Sequence, residues 1–177
     1  MTLEGLETAL QQNPKLVYAI PNFDNPRGTT MNLERRKKLV ELAQKYNVPI
    51  YEDDPYGELR FEMDAIPSLF ELAPDVVIYG GTFSKMVVPG FRLGWIVAPT
   101  QVLQIAARAK QATDLHTATF TQMIACDIAQ GDFMKEQIQK VRSYYRNQRD
   151  LMLGNIEKYF PEDVHFTRPK GGMFLWV

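Results

Sequence analysis

The sequence predicts an α/β domain built on a mostly parallel sheet with flanking helices. Three observations carry this. Four short apolar runs, "LVYAIP" (16–21), "PIYEDD" (49–54), "VVIYGGTF" (76–83) and "LGWIVAP" (93–99), are each bounded by Pro, Gly, Asn or Asp. Their apolar parts are nearly continuous instead of alternating, which suits strands buried on both faces. Helical patterns separate the first three runs, and strand–helix–strand–helix–strand order argues for parallel pairing.

The first helix lies between runs one and two. Asn32 is placed to cap it, and Leu39, Leu42, Ala43 and Tyr46 follow the i, i+3, i+4, i+7 spacing of a buried stripe. "IPSLFELAP" (66–74) is long enough for a short helix before the third run. The fourth run follows the third after only about ten residues, too few for a helical crossover, so its strand is expected to be antiparallel. Beyond Pro99 the pattern turns helical over 101–111 and 118–130. A longer pattern over about 133–160, with Met134, Ile138, Val141, Tyr145, Met152, Ile156 and Tyr159 on one side, reads as a helix bridging two domains. The final "VHFTRPKGGMFLWV" reads as a hairpin opening a new sheet. That sheet has no later strand to close its edge, and the first strand begins as if in mid-sheet. The sequence is therefore expected to be an internal segment of a larger protein.

Composition narrows the function classes. At 177 residues, 45% hydrophobic and 23% charged, the chain is an ordinary globular one of one domain or one and a half. A net charge of -1, with no block of like charge, gives no signature of a nucleic-acid or membrane surface. "MTLEGLETAL" lacks the basic start and apolar core of a signal peptide, and no apolar run approaches the roughly 20 residues that span a bilayer. A single cysteine, Cys126, permits no internal disulfide and makes a cytoplasmic setting the default. His116 and His165 are far apart with no cysteines near them, which argues against zinc. His116 reads as a packed or capping histidine before it reads as a site residue.

Ligands of open α/β sheets bind beyond the carboxyl ends of the strands. Three strand ends here carry polar residues in unusual settings. In "PNFDNPRG" (21–28) the Asn25 amide can donate, aimed by a Pro- and Gly-fixed turn; a plain surface turn explains the same letters. "YEDDPY" (51–56) closes a strand with three acids. Alternation sends Asp53 and Asp54 to opposite faces, one toward a buried site and one toward solvent; a turn cap is the competing reading. In "GGTFSKMVVPGFRLGWI" (80–96) two cations occupy the most apolar, glycine-punctuated stretch of the chain. Thr82 and Ser84 offer hydroxyls to an anion. Lys85 follows a buried strand, where a desolvated amine is a usable nucleophile. Arg92 offers a fork suited to phosphate, unless both cations are simply solvated on a loop.

Taken together, an amine nucleophile, a carboxylate, a phenol, an amide donor and an anion clamp would meet at one sheet edge. Pyridoxal phosphate chemistry needs that set: a lysine for the aldehyde, a carboxylate to keep the pyridine nitrogen protonated, donors for the ring oxygen and a phosphate clamp.

"NPRG", "EDDPY", "GGTFSKMVVPGFRLGW" and "RPKGGMFLW", in this order and spacing, resemble the fold-type-I pyridoxal-phosphate aminotransferases of class I/II. The likeness is greatest to the 2-aminoadipate and kynurenine aminotransferase subgroup, to which "KQATDLHTATFTQ" (110–122) is also similar, and it runs along essentially the whole chain. The resemblance implies a partial large domain of the fold-type-I pyridoxal-phosphate transferases over residues 1–125, then the start of the small C-terminal α+β domain over 126–177. It makes Lys85 the Schiff-base lysine and proton shuttle of transamination. Asp53 becomes the partner of the pyridine nitrogen and Asp54 the outward acid. Tyr56 and Asn25 bond the ring oxygen; Thr82, Ser84 and Arg92 bind phosphate. Arg27 stands where the family usually has threonine, with little expected effect.

The resemblance further implies pyridoxal 5'-phosphate as cofactor, amino acid and 2-oxo acid substrates, a homodimer, and a place in amino-acid metabolism. Family chains are more than twice this length. The glycine-rich phosphate turn, the aromatic that stacks on the ring and the arginine that grips the substrate carboxylate are expected outside this segment, so the segment alone is expected to be inactive. Two alternatives share these motifs: an aminotransferase-like effector domain of a winged-helix transcription regulator, and a lyase on the same cofactor.

Overall fold

The computed structural model describes residues 3–177. Its centre is one four-stranded sheet in the order β1 (Val17–Ala19), β2 (Ile50–Asp53), β3 (Val77–Thr82), β4 (Gly94–Val97). β1, β2 and β3 run parallel, with Tyr18 beside Tyr51 and Asp53 beside Gly80. β4 returns antiparallel, pairing Gly80 with Ile96 and Thr82 with Gly94. The four apolar runs thus form the four expected strands, and the short connection before the fourth does reverse it.

The helices on one face have local causes. α2 (Leu33–Tyr46) starts at Asn32, whose side chain accepts from the Arg35 amide at 3.0 Å. It ends at Asn47, in the left-handed conformation that Asn tolerates (φ 51°), whose amide bonds Ala43 and Gln44 carbonyls. α3 (Leu69–Leu72) opens on a capping box between Ser68 and Glu71. Glu52, fully buried on β2, adds to it: its oxygens accept from the Leu69 and Phe70 amides at 3.0 and 2.9 Å. α1 (Leu3–Gln11) completes this face, and Leu6, Leu10, Leu39, Leu42, Ile50, Leu69 and Val77 form the main core.

The opposite sheet face departs from the expectation of strands buried on both sides. Tyr18 is 58% exposed, and all four β4 residues are exposed. Core packing therefore covers one face of β1, β2 and β3, whereas β4 is open on both faces among the described residues.

Beyond β4 come α4 (Thr100–Thr113), α5 (Thr119–Gln130) and the 27-residue α6 (Phe133–Tyr159). Ile138 and Val141 of α6 pack on a second cluster formed by Phe23, Tyr56, Leu59 and Met86. Of the residues the pattern places on one side of α6, Met152 and Tyr159 are exposed, whereas Ile156 is buried. None of the three helices is long and apolar enough to cross a membrane.

The expected terminal hairpin is not built as strands. One contact pair links its arms, from the Thr167 amide to the Trp176 carbonyl and from the Trp176 amide to the Thr167 hydroxyl, both 2.9 Å. Its middle instead pairs with the segment after β2, where Phe61 N donates to Lys170 O and Gly172 N to Leu59 O. The Lys170–Gly172 backbone is spent on that contact, which withdraws it from a local ladder.

Candidate active site

Because β1, β2 and β3 are parallel, their carboxyl ends lie along one edge. The antiparallel β4 starts at that same edge, and the Thr82 hydroxyl donates to the Leu93 carbonyl at 3.1 Å. Loops 21–31, 54–57 and 83–93 therefore gather there.

The first loop is held from below by Arg36, a fully buried guanidinium on α2. It donates to the carbonyls of Met31, Pro21, Ile66 and Pro67 and to Asn22 Oδ1. Burial pulls Arg36 below its ordinary value, while the Glu52 and Asp54 charges oppose that. Within the loop, Asp24 organises the turn. Its Oδ1 accepts from the Thr29 amide and hydroxyl at 2.8 and 2.6 Å, and its Oδ2 takes the Arg27 fork at 3.0 and 2.9 Å. Burial works against the Asp24 charge, but the Thr29 and Arg27 bonds outweigh it and hold the carboxyl below its usual range. Arg27 is thus engaged with Asp24 on the loop itself. Gly28 follows with φ 67°, and an added Cβ would lie 2.4 Å from the Phe174 carbonyl oxygen, so both conformation and space demand glycine.

The second loop separates the two aspartates as alternation requires. Asp53 shares a face with Tyr18 and Tyr51, and its Oδ2 accepts from the Tyr18 hydroxyl at 2.6 Å. Asp54 takes the other face, but it is not turned to solvent. It accepts from Asn22 Nδ2 at 3.0 Å, the Gly57 amide at 2.9 Å and the Tyr79 hydroxyl at 3.1 Å. The turn-cap role considered for this acidic stretch belongs to Asp54, since Pro55 bends the chain and brings Gly57 N back to it. Tyr56 is buried. Desolvation first, then the Asp53 charge, push its phenol up, and the Asn25 amide pulls it down as a hydrogen-bond partner. Asn25, Asp53 and Tyr56 therefore form one cluster, drawn from the ends of β1 and β2.

The third loop supplies the second cluster. The Thr82 and Ser84 hydroxyls are 3.0 Å apart, and the Ser84 amide donates to Thr82 Oγ1 at 3.1 Å. Lys85 sits half-buried in the following turn, closed by Val87 N to Phe83 O at 2.9 Å. Its neighbour Met86 is buried against Tyr56 and Phe23, which packs the lysine turn onto the loops carrying the first cluster. Arg92 is the outlier. It is exposed, adopts φ 52° after the 3-10 turn Pro89–Phe91, and donates to the Pro89 carbonyl at 3.2 Å. The structure brings it to the right edge but does not draw it onto Thr82 or Ser84. His116 lies apart and exposed beyond α4, against the Thr117 carbonyl.

The motifs assign no role to three side chains important to this edge. Tyr18 and Tyr51 stack at 5.8 Å beside Asp53, and Arg36 supports the first loop. A cavity of about 490 Å³, lined in part by Tyr18, Asn25 and Arg27, opens next to this group. A separate cavity of about 430 Å³, lined by Asp54, Tyr79 and Ser68 among others, lies away from Lys85 on the opposite face.

This sheet, with its switch to an antiparallel fourth strand, is the architecture of the fold-type-I aminotransferases. The crystal structure of a Pyrococcus horikoshii kynurenine aminotransferase, in complex with PMP, kynurenine and its product, superposes with a TM-score of 0.94 at 43% identity. The match covers 99% of this chain and 45% of that one. The alpha-aminoadipate aminotransferase of Thermus thermophilus, complexed with N-(5'-phosphopyridoxyl)-L-leucine, gives a TM-score of 0.94 at 40% identity, over 98% of this chain and 46% of that one.

The chain belongs to the aminotransferase class I and II family, whose model matches residues 1–177. Aromatic-amino-acid aminotransferase 1 of Thermococcus litoralis is 43% identical over 184 residues, spanning 100% of this chain and 44% of the relative. The family and subgroup expected from the motifs are those found, and the chain spans less than half the length of these relatives.

Proposed function

We propose that the protein carrying this chain is a pyridoxal 5'-phosphate-dependent aminotransferase that transfers an amino group between an amino acid and a 2-oxo acid. The chain supplies the lysine edge of its cofactor site. The observation that carries this is the meeting of Asp53, Tyr56 and Asn25 in one cluster, with the Thr82–Ser84 hydroxyl pair and Lys85 on the adjoining loop of the same edge.

The donor set fits the cofactor. Asp53 has one oxygen engaged by Tyr18, and its Oδ1 accepts no hydrogen bond among the described residues, as a carboxylate facing a ring nitrogen requires. When bound, the cofactor supplies an electron sink for bond breaking at the carbon next to the amino nitrogen. Asp53 would keep the ring nitrogen protonated. Tyr56 and Asn25 would donate to the ring oxygen. Thr82, Ser84 and a swung Arg92 would hold the phosphate. Lys85 would bind the cofactor through its aldehyde carbon and move the proton between the two carbons that exchange.

Residues 1–125 would belong to the cofactor domain and 126–177 would begin the smaller one, with two copies associating as a homodimer. The single cysteine supports a cytoplasmic setting.

Borohydride reduction of the full-length protein with pyridoxal 5'-phosphate, followed by peptide mapping, tests this. The label is expected on Lys85 and should vanish in Lys85→Ala. A label on another lysine, or none, would overturn the assignment.

A further inference from the structure

Asp53 is the acid on which the proposed site turns, yet it stands at a strand end on the less covered face of the sheet. A carboxylate there has two free rotations and four lone-pair positions, and only some orientations can serve a ring nitrogen. One group limits it. The parallel register sets Tyr18 beside Tyr51, so Asp53, two residues further along β2, lies on the same face and within reach of the Tyr18 phenol. The Tyr18 hydroxyl donates to Oδ2 at 2.6 Å, the short distance of a charge-assisted bond. The ring that carries it is fixed in turn by stacking on Tyr51, at 5.8 Å and 23°.

We propose that Tyr18 is a positioning residue for Asp53: its hydroxyl holds Oδ2 and leaves Oδ1 as the acceptor for the cofactor's ring nitrogen. The inference rests on the cofactor reading above. Two further facts support it. Desolvation at its hydroxyl end first, and then the bond to Asp53, hold the Tyr18 phenol above its usual range, so it stays a donor throughout the neutral region. Tyr18 is also 58% exposed, so its hydroxyl answers no need of the core. Tyr51 and Tyr56 feel the Asp53 charge as well, but neither donates a hydrogen bond to it among the described residues.

The test is Tyr18→Phe in the full-length protein, which keeps the ring and the stack and removes one hydroxyl. Asp53→Asn and Tyr51→Phe accompany it. Cofactor affinity is read from tryptophan quenching, and the environment of the ring nitrogen from the pH profile of the bound cofactor's absorbance. Tyr18→Phe is expected to weaken binding about tenfold, as loss of a bond to a charged group does, and to shift the pH profile, with the thermal midpoint unchanged. Tyr51→Phe should stay within about twofold, because it removes no bond to Asp53. The proposal falls if Tyr18→Phe matches the parent in affinity and pH profile while Asp53→Asn loses binding. If Asp53→Asn also matches the parent, the cofactor reading falls and takes the proposal with it.

Discussion

Arg149 on α6 holds the Glu62 carboxylate in a two-pronged pair, Nη1 to Oε2 at 2.7 Å and Nη2 to Oε1 at 2.5 Å. The same guanidinium donates to the Pro169 carbonyl at 2.9 Å and lies 5.0 Å over the Phe61 ring. Arg142 and Arg146, two turns and one turn earlier, reach the Glu58 and Phe61 carbonyls. The long helix is thus tied to the segment that follows β2 by a row of arginines.

This latch predicts acid sensitivity. The hydrogen bond from Arg149, foremost, holds the Glu62 carboxyl below its ordinary 4.5. A depressed folded value means the contribution is present above about pH 4.5 and is lost as pH falls through the lower folded value. Glu62 is partly exposed, so solvent screens the pair. Glu62→Gln is expected to cost about 1 kcal/mol near neutrality and to flatten the fall of stability below pH 4.5. Urea midpoints at neutral pH and below about pH 4 compare the two proteins; parallel curves would show that the pair contributes nothing.

Arg36 predicts a larger effect. Its guanidinium satisfies the Met31 carbonyl at 2.9 Å, Pro67 at 3.0 Å and Pro21 at 3.2 Å, all from a fully buried position. Arg36→Met fills the volume but takes the guanidinium from the Met31 and Pro67 carbonyls, while the Pro21 carbonyl keeps the Met31 amide at 2.8 Å; the cost is expected to be about 3 kcal/mol. Chemical denaturation measures it, and a loss under about 1 kcal/mol would mean that water replaces the guanidinium.

The sheet is readable because each strand is a short apolar run closed by turn residues, and because about ten residues cannot carry a crossover. α1 is harder to read: among its described side chains Leu6 and Leu10 enter the core, too few positions to establish a period. The terminal hairpin misleads because "KGG" looks like a turn, whereas Gly171 is there for contact with Phe23 and Leu59. At the site, alternation alone assigns Asp53 and Asp54 to opposite faces. Tyr18 is invisible to such reasoning, because its bond to Asp53 depends on how β1 registers against β2, which no local pattern encodes. Arg36 sits in "RRKK", indistinguishable by letter from its solvated neighbours. Arg92 sits at the expected edge, but its side chain rests on its own turn.

Two glycines with the same clash distance are predicted to respond differently to alanine. At Gly80 an added Cβ lies 2.4 Å from the Tyr51 hydroxyl oxygen, at the tip of a half-buried ring that can swing outward. At Gly171 it lies 2.4 Å from Phe23 Cζ and 2.5 Å from the Leu59 carbonyl oxygen. Phe23 is 2% exposed and the carbonyl is backbone, so neither can give way locally. Gly171→Ala is therefore expected to cost about 2–3 kcal/mol, as overpacking of a tight core does, and Gly80→Ala about 1 kcal/mol or less. Gly80→Ala should instead move Tyr51 and disturb its stack with Tyr18, which near-ultraviolet circular dichroism would register. Equal losses in urea unfolding, or a larger loss at Gly80, would show that the backbone around residues 59 and 171 relaxes more easily than a tyrosine on an open sheet face.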